Sequence, residues 1–146
     1  MPGFLSLQLA VKKSRKDQTT NTPALATLFL VRTQIDAMLE LGGLQWAVDR
    51  CARSSEIVYS WAENADYAYP FVANPAERST NVATVNLTDE IDAGAVSAVL
   101  RDNGIVDTGG YRALGQNQLR IAMFPNVDPD DLETLTSAID YIVERM

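Results

Sequence analysis

The sequence contains no histidine and a single cysteine, Cys51. Histidine is the commonest metal ligand and general base, so its absence excludes Ser-His-Asp and Cys-His catalysis from within this chain. One cysteine provides neither a disulfide framework nor a thiol cluster for zinc. Cys51 falls on the apolar face of a predicted helix and is interpreted as a small core residue. We therefore expect no metal site.

The sequence also has no excess of positive charge. It contains 12 basic and 19 acidic residues, which gives a net charge of −7. Such a chain has no general attraction for nucleic acid or for an anionic membrane, and we expect neither as a partner. The one basic run, Lys12, Lys13, Arg15 and Lys16, is typical of solvated surface.

Long apolar runs are absent as well. The longest, residues 24–31, is far shorter than the ~20 residues that a membrane span needs. The first residues have no positively charged segment ahead of an apolar stretch, so no secretory signal is predicted. We expect a cytoplasmic protein, and 146 residues correspond to one domain with a modest core.

The first 43 residues predict one strand and one helix. Residues 4–11 alternate in part and are rich in large apolar side chains, which favours a strand. A polar stretch then leads to Thr22 as a helix cap and Pro23 as the first helical residue. Apolar residues at three- and four-residue steps predict a helix over 24–41 that Gly42-Gly43 ends.

The rest of the chain predicts alternating helices and strands. Helices are expected over 44–64, 89–103 and from about residue 128, and strands over 67–72, 81–87, 105–107 and 118–124. We interpret the order as a strand, two long helices and a β-α-β-β-α unit. This predicts an α+β (α/β) fold, in which helices cover one face of a small antiparallel or mixed sheet.

Three features have more than one interpretation at this point. Arg120 lies in an apolar strand, where an arginine either pairs with a buried carboxylate or points into a cleft. Asn21-Thr22 before Pro23 can serve simply as a helix cap, which the residues alone favour. Trp46 and Trp61 are interpreted as packing residues of the second helix and not as a stacking platform.

Six sequence runs together carry a resemblance to a known family. They are LSLQLAV, DQTTNTPALATL, GGLQWAVDR, SSEIVYSWAE, YPFVANPAERS and the final run LRDNGIVDTGGYRALGQNQLRIAMFPNVDPDDLETLTSAIDYIVER. Of these, NGIVDT and NQLRIAMFP are the most specific. With them the chain resembles the C-terminal portion of phosphoserine aminotransferases of the actinobacterial type, a class V aminotransferase family.

The resemblance implies a fold type I, aspartate-aminotransferase-like architecture with pyridoxal 5′-phosphate as cofactor. Residues 1–23 would be a remnant of the large-domain strand and cofactor-phosphate turn, residues 24–43 a linking helix, and residues 44–146 the small domain. The family exchanges an amino group between phosphoserine and 2-oxoglutarate in serine biosynthesis, and in some bacteria it also serves pyridoxine synthesis.

The resemblance also assigns site residues. Asn21 and Thr22 would bind the cofactor phosphate of the neighbouring subunit, which requires a dimer. Arg120 would hold the substrate α-carboxylate, and Arg112 the substrate phosphate or distal carboxylate, as the planar guanidinium fork suits. Tyr111 stands where other branches carry histidine and is the third residue expected to bind the substrate. Gly109-Gly110 and Gln116 depart from the family pattern, which affects the substrate loop.

The catalytic lysine of the family comes from the large domain, ahead of the matched segment, and Lys12, Lys13 and Lys16 do not align with it. No catalytic residue is therefore assigned to this chain. The leading hypothesis is a fragment or half-enzyme that needs a lysine-bearing large domain. The alternatives are a stand-alone module that binds a small phosphorylated or dicarboxylic acid, and a non-functional remnant.

Overall fold

The computed structural model describes residues 2–146, which form two compact units. The first unit ends at Gly43 and the second is Leu44–Met146. None of the described residues in the first unit is buried, and the whole hydrophobic core lies in the second. No helix within residues 2–146 combines the length and apolar character needed to cross a membrane.

The first unit is helical throughout its regular structure. A 3-10 helix, Gly3–Leu5, leads into α1 (Leu7–Ser14), so the strand predicted over 4–11 is wrong. Ser6 explains the difference, because its hydroxyl caps α1 by accepting the Leu9 N–H at 3.3 Å. A strand needs a neighbour to pair its backbone groups, whereas a helix pairs them internally.

Helix α2 (Leu25–Glu40) confirms the second predicted element but begins later than expected. Its cap is Ala24, without a side-chain hydrogen bond, so Thr22 is not the helix cap and Pro23 is not the first helical residue. Pro23 instead precedes the helix, and its carbonyl accepts the Leu25 N–H at 2.9 Å. Gly42 and Gly43 follow the helix with φ of 118° and 68°, the left-handed conformation that ends helices.

The second unit is built from three helices and three strands. In chain order they are α3 (Gly43–Asn64), β1 (Ala68–Pro70), β2 (Val82–Leu87), α4 (Ala93–Asp102), β3 (Gln118–Ala122) and α5 (Pro129–Val143). The strands form one antiparallel sheet in the order β1-β2-β3. The α+β fold class and the antiparallel alternative for the sheet are therefore confirmed.

Two of the predicted elements in this unit differ from the structure. The helix predicted over 89–103 begins at Ala93, because Asp92 caps it by accepting the Gly94 N–H at 2.7 Å. Residues 105–107 are not a strand. Asp107 has a φ of 62°, which interrupts an extended backbone, and the chain next bridges to β3 only at Gly109.

The core lies between one face of the sheet and the three helices. Alternate residues of β2 and β3 are buried there together with apolar residues of α3, α4 and α5. The two strands contribute Ala83, Val85, Leu87, Leu119 and Ile121, and Met123 follows directly after β3. The helices therefore cover one face, as predicted. Cys51 is buried, in line with its interpretation as a core residue, and burial raises the pKa of its thiol.

Two polar groups hold helices of this unit in place. The Asn117 amide accepts the Ala93 N–H at the start of α4 and donates to the carbonyls of Leu87, Thr88 and Ile91. The Asp140 carboxylate on α5 accepts from the Trp61 indole and the Tyr67 hydroxyl. Burial, and next the bond to Asp140, raise the pKa of the Tyr67 hydroxyl well above its ordinary value.

Candidate functional site

Strand β3, the end of α4 and the connection between them enclose an open cleft of about 580 Å³. The cleft lies entirely within the second unit. Its lining residues are Ser97, Arg101, Asp107, Gly109, Gly110, Tyr111, Arg112, Ala113 and Arg120. Three residues singled out in the sequence, Tyr111, Arg112 and Arg120, are thus brought together.

The position of Arg120 follows from strand alternation. Its neighbours Leu119 and Ile121 are buried, so Arg120 lies on the opposite, exposed side of β3. Its backbone is fixed on both sides, because it pairs with Thr84 of β2 and its N–H donates to the Thr108 carbonyl at 2.8 Å. The guanidinium carbon lies 5.9 Å from the centre of the Tyr111 ring.

Arg112 and Tyr111 are carried by a segment packed against β3. Gly109 bridges to Leu119, and Gly110 lies so close to β3 that a Cβ there would be 2.8 Å from the Gln118 carbonyl oxygen. Arg112 begins a 3-10 helix, Arg112–Leu114, which ends at Gly115 with a φ of 59°. Residues 109–115 therefore hold Arg112 beside the exposed side of β3.

The cleft contains two arginines without carboxylate partners, which sets it apart from the rest of residues 44–146. Of the seven arginines in residues 44–146, five form ion pairs with carboxylates. The other two are Arg112 and Arg120, and within residues 2–146 neither guanidinium has an ion pair or a hydrogen bond. Arg120 is thus a cleft residue and not the partner of a buried carboxylate, which decides between the two interpretations of its sequence context.

Sequence reasoning missed several residues of the cleft. Arg101 in the last turn of α4 forms an ion pair with Asp107, with 3.0 Å between Nη2 and Oδ1. Ser97 also lines the cleft, and its hydroxyl lies 3.0 Å from the hydroxyl of Thr108. The sequence offers no periodic signal for these contacts, because they depend on the path of the connection after α4.

The remaining predicted site residues, Asn21 and Thr22, lie in the first unit. Both are exposed and line a shallow open depression with Lys13 and residues 17–20. The Thr19 hydroxyl donates to the Asn21 carbonyl at 2.6 Å. Among the described residues, no group bonds to the Asn21 amide or the Thr22 hydroxyl, so both stay available to a ligand.

Known proteins provide a direct comparison. No protein-family model matches the chain. A protein of Mycobacterium avium (strain 104), provisionally named phosphoserine aminotransferase, is 57% identical over 146 residues, which are 100% of this chain and 39% of that protein. The phosphoserine aminotransferase of Rhodococcus jostii (strain RHA1) is 54% identical over 145 residues, 99% of this chain and 39% of that protein.

The fold gives a matching result. The structure of the phosphoserine aminotransferase from Bacillus circulans subsp. alkalophilus superposes with a TM-score of 0.84 at 20% identity, over 97% of this chain and 38% of that one. The chain thus spans about two fifths of the length of the proteins it matches. The sequence is thus similar over its whole length to a C-terminal portion of the phosphoserine aminotransferases, and the chain has the fold of the matching part of the solved one.

Proposed function

We propose that this chain supplies the substrate-anion side of a phosphoserine aminotransferase and acts together with a lysine-bearing large domain. The reaction is the exchange of an amino group between phosphoserine and 2-oxoglutarate, which gives 3-phosphohydroxypyruvate and glutamate. The observation that carries the proposal is the pair of arginines without partners, Arg112 and Arg120, in one cleft.

The charges of the reactants fit this pair. Phosphoserine and 3-phosphohydroxypyruvate each carry a carboxylate and a phosphate, and 2-oxoglutarate and glutamate each carry two carboxylates. Every reactant therefore has an anionic group at both ends. Two guanidinium groups without carboxylate partners can each form charge-assisted bonds with one end, and paired bonds fix orientation as well as position.

Three cleft residues, Arg120, Arg112 and Tyr111, have distinct roles in substrate binding. Arg120 holds the α-carboxylate, since its backbone is fixed on both sides by β2 and residue 108. Arg112 takes the phosphate or the distal carboxylate. The Tyr111 ring lies near the Arg120 guanidinium, which limits the directions in which the side chain can point.

Residues before α2 fit the cofactor phosphate. Asn21 and Thr22 are exposed donors, and no side chain caps α2. The Leu25 N–H is bonded to the Pro23 carbonyl, but the backbone N–H groups that follow it in the first turn have no side-chain acceptor and can face an anion. When bound, pyridoxal phosphate supplies the electron sink for exchange of the amino group. The lysine and the aspartate that engage this cofactor come from the large domain in this proposal.

The proposed arrangement keeps the domain boundaries expected from the resemblance. Residues 1–23 belong with the large domain, residues 24–43 form the linking helix, and residues 44–146 form the small domain. Helix α2 supports a partner, because its large apolar side chains Leu25, Phe29 and Leu30 are each about two-thirds exposed. That partner is the large domain of the same enzyme, assembled as a dimer in the cytoplasm.

The cofactor part of the proposal is tested by absorption spectroscopy. Pyridoxal phosphate is added to the chain, removed by dialysis, and the spectrum is recorded with and without phosphoserine. We expect no cofactor band to remain with the chain alone and a stable band once the lysine-bearing large domain is added. A band that survives dialysis with the chain alone and shifts with phosphoserine would overturn the proposed division of labour.

The substrate part is tested by titrating the chain with phosphoserine and 2-oxoglutarate while following its backbone amide resonances. Because bonds to charged groups are worth about 1.5–3 kcal/mol, Arg112→Gln and Arg120→Gln should each weaken binding roughly tenfold or more. Arg53→Gln is the matched control, since it removes an arginine that is paired with Asp130 and does not line the cleft. Equal losses of affinity in all three variants would argue against the cleft as the substrate site.

A second candidate function is a stand-alone module for small phosphorylated or dicarboxylic acids. The specific observation in its favour is that every lining residue of the cleft lies in the second unit. Addition of the large domain distinguishes the two candidate functions. Amino-group transfer after addition supports the enzyme, whereas ligand binding without any transfer supports the module.

A further inference from the structure

We propose that the Arg101–Asp107 ion pair sets the substrate selectivity of the cleft, because Asp107 neutralises a third arginine that would otherwise favour phosphate over carboxylate. This inference rests on the proposed function and assigns a role to two residues that the resemblance leaves unassigned. Both would be specificity determinants and not catalytic residues.

The pair lies in the same cleft as the two free arginines. Arg101 and Asp107 both line it, together with Arg112 and Arg120. The side chains of the pair are 56% and 82% exposed, so both charges are accessible from solvent at the cleft. The cleft therefore presents three guanidinium groups and one carboxylate, and the carboxylate is already bonded to one of the three.

Asp107 lies in a turn with an uncommon backbone conformation. Asp107 has a φ of 62°, the left-handed conformation, which costs most residues energy and which aspartate and asparagine tolerate better. The next residue, Thr108, accepts the N–H of Arg120 through its carbonyl. The turn that carries Asp107 is thus joined directly to the strand that carries Arg120.

The reaction explains why a third free arginine would be a disadvantage. The same cleft must accept a phosphate in one half of the exchange and a carboxylate in the other. A phosphate carries up to two charges and three acceptor oxygens, so it gains more from an additional guanidinium than a carboxylate does. With Arg101 paired, the cleft keeps comparable affinity for phosphoserine and 2-oxoglutarate.

A double-mutant cycle on the full 146-residue chain tests this inference. Asp107→Asn removes the charge and keeps a residue that tolerates the left-handed backbone. We expect phosphoserine to bind about threefold more tightly, in line with an exposed ion pair, and 2-oxoglutarate to gain less. Arg101→Gln leaves Asp107 unpaired and should weaken both ligands, phosphoserine more strongly. The double variant should return the affinity ratio close to that of the unaltered chain.

The readout is the ratio of the two dissociation constants, measured by amide-resonance titration at one low ionic strength. Glu144→Gln is the matched control, because it removes a carboxylate that is paired with Arg145 outside the cleft. An unchanged ratio in Asp107→Asn, with binding still lost in Arg112→Gln, overturns the inference and leaves the proposed function standing. If the unaltered chain binds neither ligand, the proposed function fails and the inference fails with it.

Discussion

At the scale of single residues, the cleft depends on one close approach of two backbone segments. Gly110 has no room for a side chain, since a Cβ would be 2.8 Å from the Gln118 carbonyl oxygen and 3.1 Å from the Gln118 Cβ. Gly109, its neighbour, has ordinary space, because the nearest atom to a Cβ there is the Ser97 hydroxyl at 3.7 Å. The two glycines therefore have different roles.

This contrast gives a matched pair of substitutions. Gly110→Ala should push residues 109–112 away from β3 and lower the free energy of unfolding by about 1–3 kcal/mol, the usual cost of overpacking. Gly109→Ala should change it little. Urea unfolding of both variants measures the effect, with phosphoserine titration as a second readout. Equal stability of the two variants would mean that the loop does not approach β3 as closely as described.

At the scale of elements, the start of α5 is fixed by one carboxylate. Asp128 caps the helix by accepting the Asp130 N–H at 3.1 Å and also bonds Arg50 of α3 at 2.9 Å. The backbone bond first, and Arg50 next, hold the pKa of the Asp128 carboxyl below its ordinary value of 3.8. The ionised form of Asp128 thus joins the start of α5 to α3.

The lowered pKa sets a direction for the effect of pH on stability. The ionised form is favoured in the folded state, so its contribution is complete above the ordinary carboxyl pKa and is lost as the pH falls through the lower folded value. Asp128→Asn keeps a good helix cap without the charge. We expect the wild-type chain to be more stable at pH 7 and this advantage to shrink below pH ~4. A difference that stays constant across this range, measured by urea unfolding, would contradict the role of the charge.

Most elements could be predicted because their signals are local. Helices α2 to α5 and strands β1 to β3 follow from apolar periodicity, with end positions moved by caps such as Asp92. The two failures have local causes as well. Ser6 stabilises a helix where partial alternation favours a strand, and the positive φ of Asp107 interrupts residues 105–107. Neither cap geometry nor a positive φ at aspartate is visible in a hydrophobic pattern.

The candidate site was only partly accessible from the sequence. Tyr111, Arg112 and Arg120 came from the resemblance, and the fold brings them to one cleft. Asn21 and Thr22 stay a prediction for the cofactor phosphate. The pairing of Arg101 with Asp107 could not be predicted, because it joins the end of α4 to a turn in which Asp107 has a positive φ that no hydrophobic pattern reveals.

At the scale of the whole molecule, the two units differ in how they are stabilised. The buried apolar cluster draws all its members from residues 58–139, and none of residues 2–43 is buried. A chain shortened to residues 44–146 should therefore keep the α+β core and unfold within a few degrees of the full chain, as followed by circular dichroism. Ile139→Ala is the positive control, since removal of a fully buried isoleucine side chain costs about 2–5 kcal/mol. Loss of cooperative unfolding in the shortened chain would show that the first unit is needed.

The two free arginines also have a consequence for how a substrate arrives. They form a local positive site on a molecule whose net charge is −7, so a distant anion is repelled by the whole and attracted only near the cleft. Salt screens charges beyond about 8 Å at physiological ionic strength, which removes the distant repulsion before it weakens contacts inside the cleft. Moderate salt should thus raise the association rate of an anionic substrate and should also raise its dissociation rate, which shortens the lifetime of the complex. Faster encounter together with a shorter-lived complex would be the signature of this charge distribution.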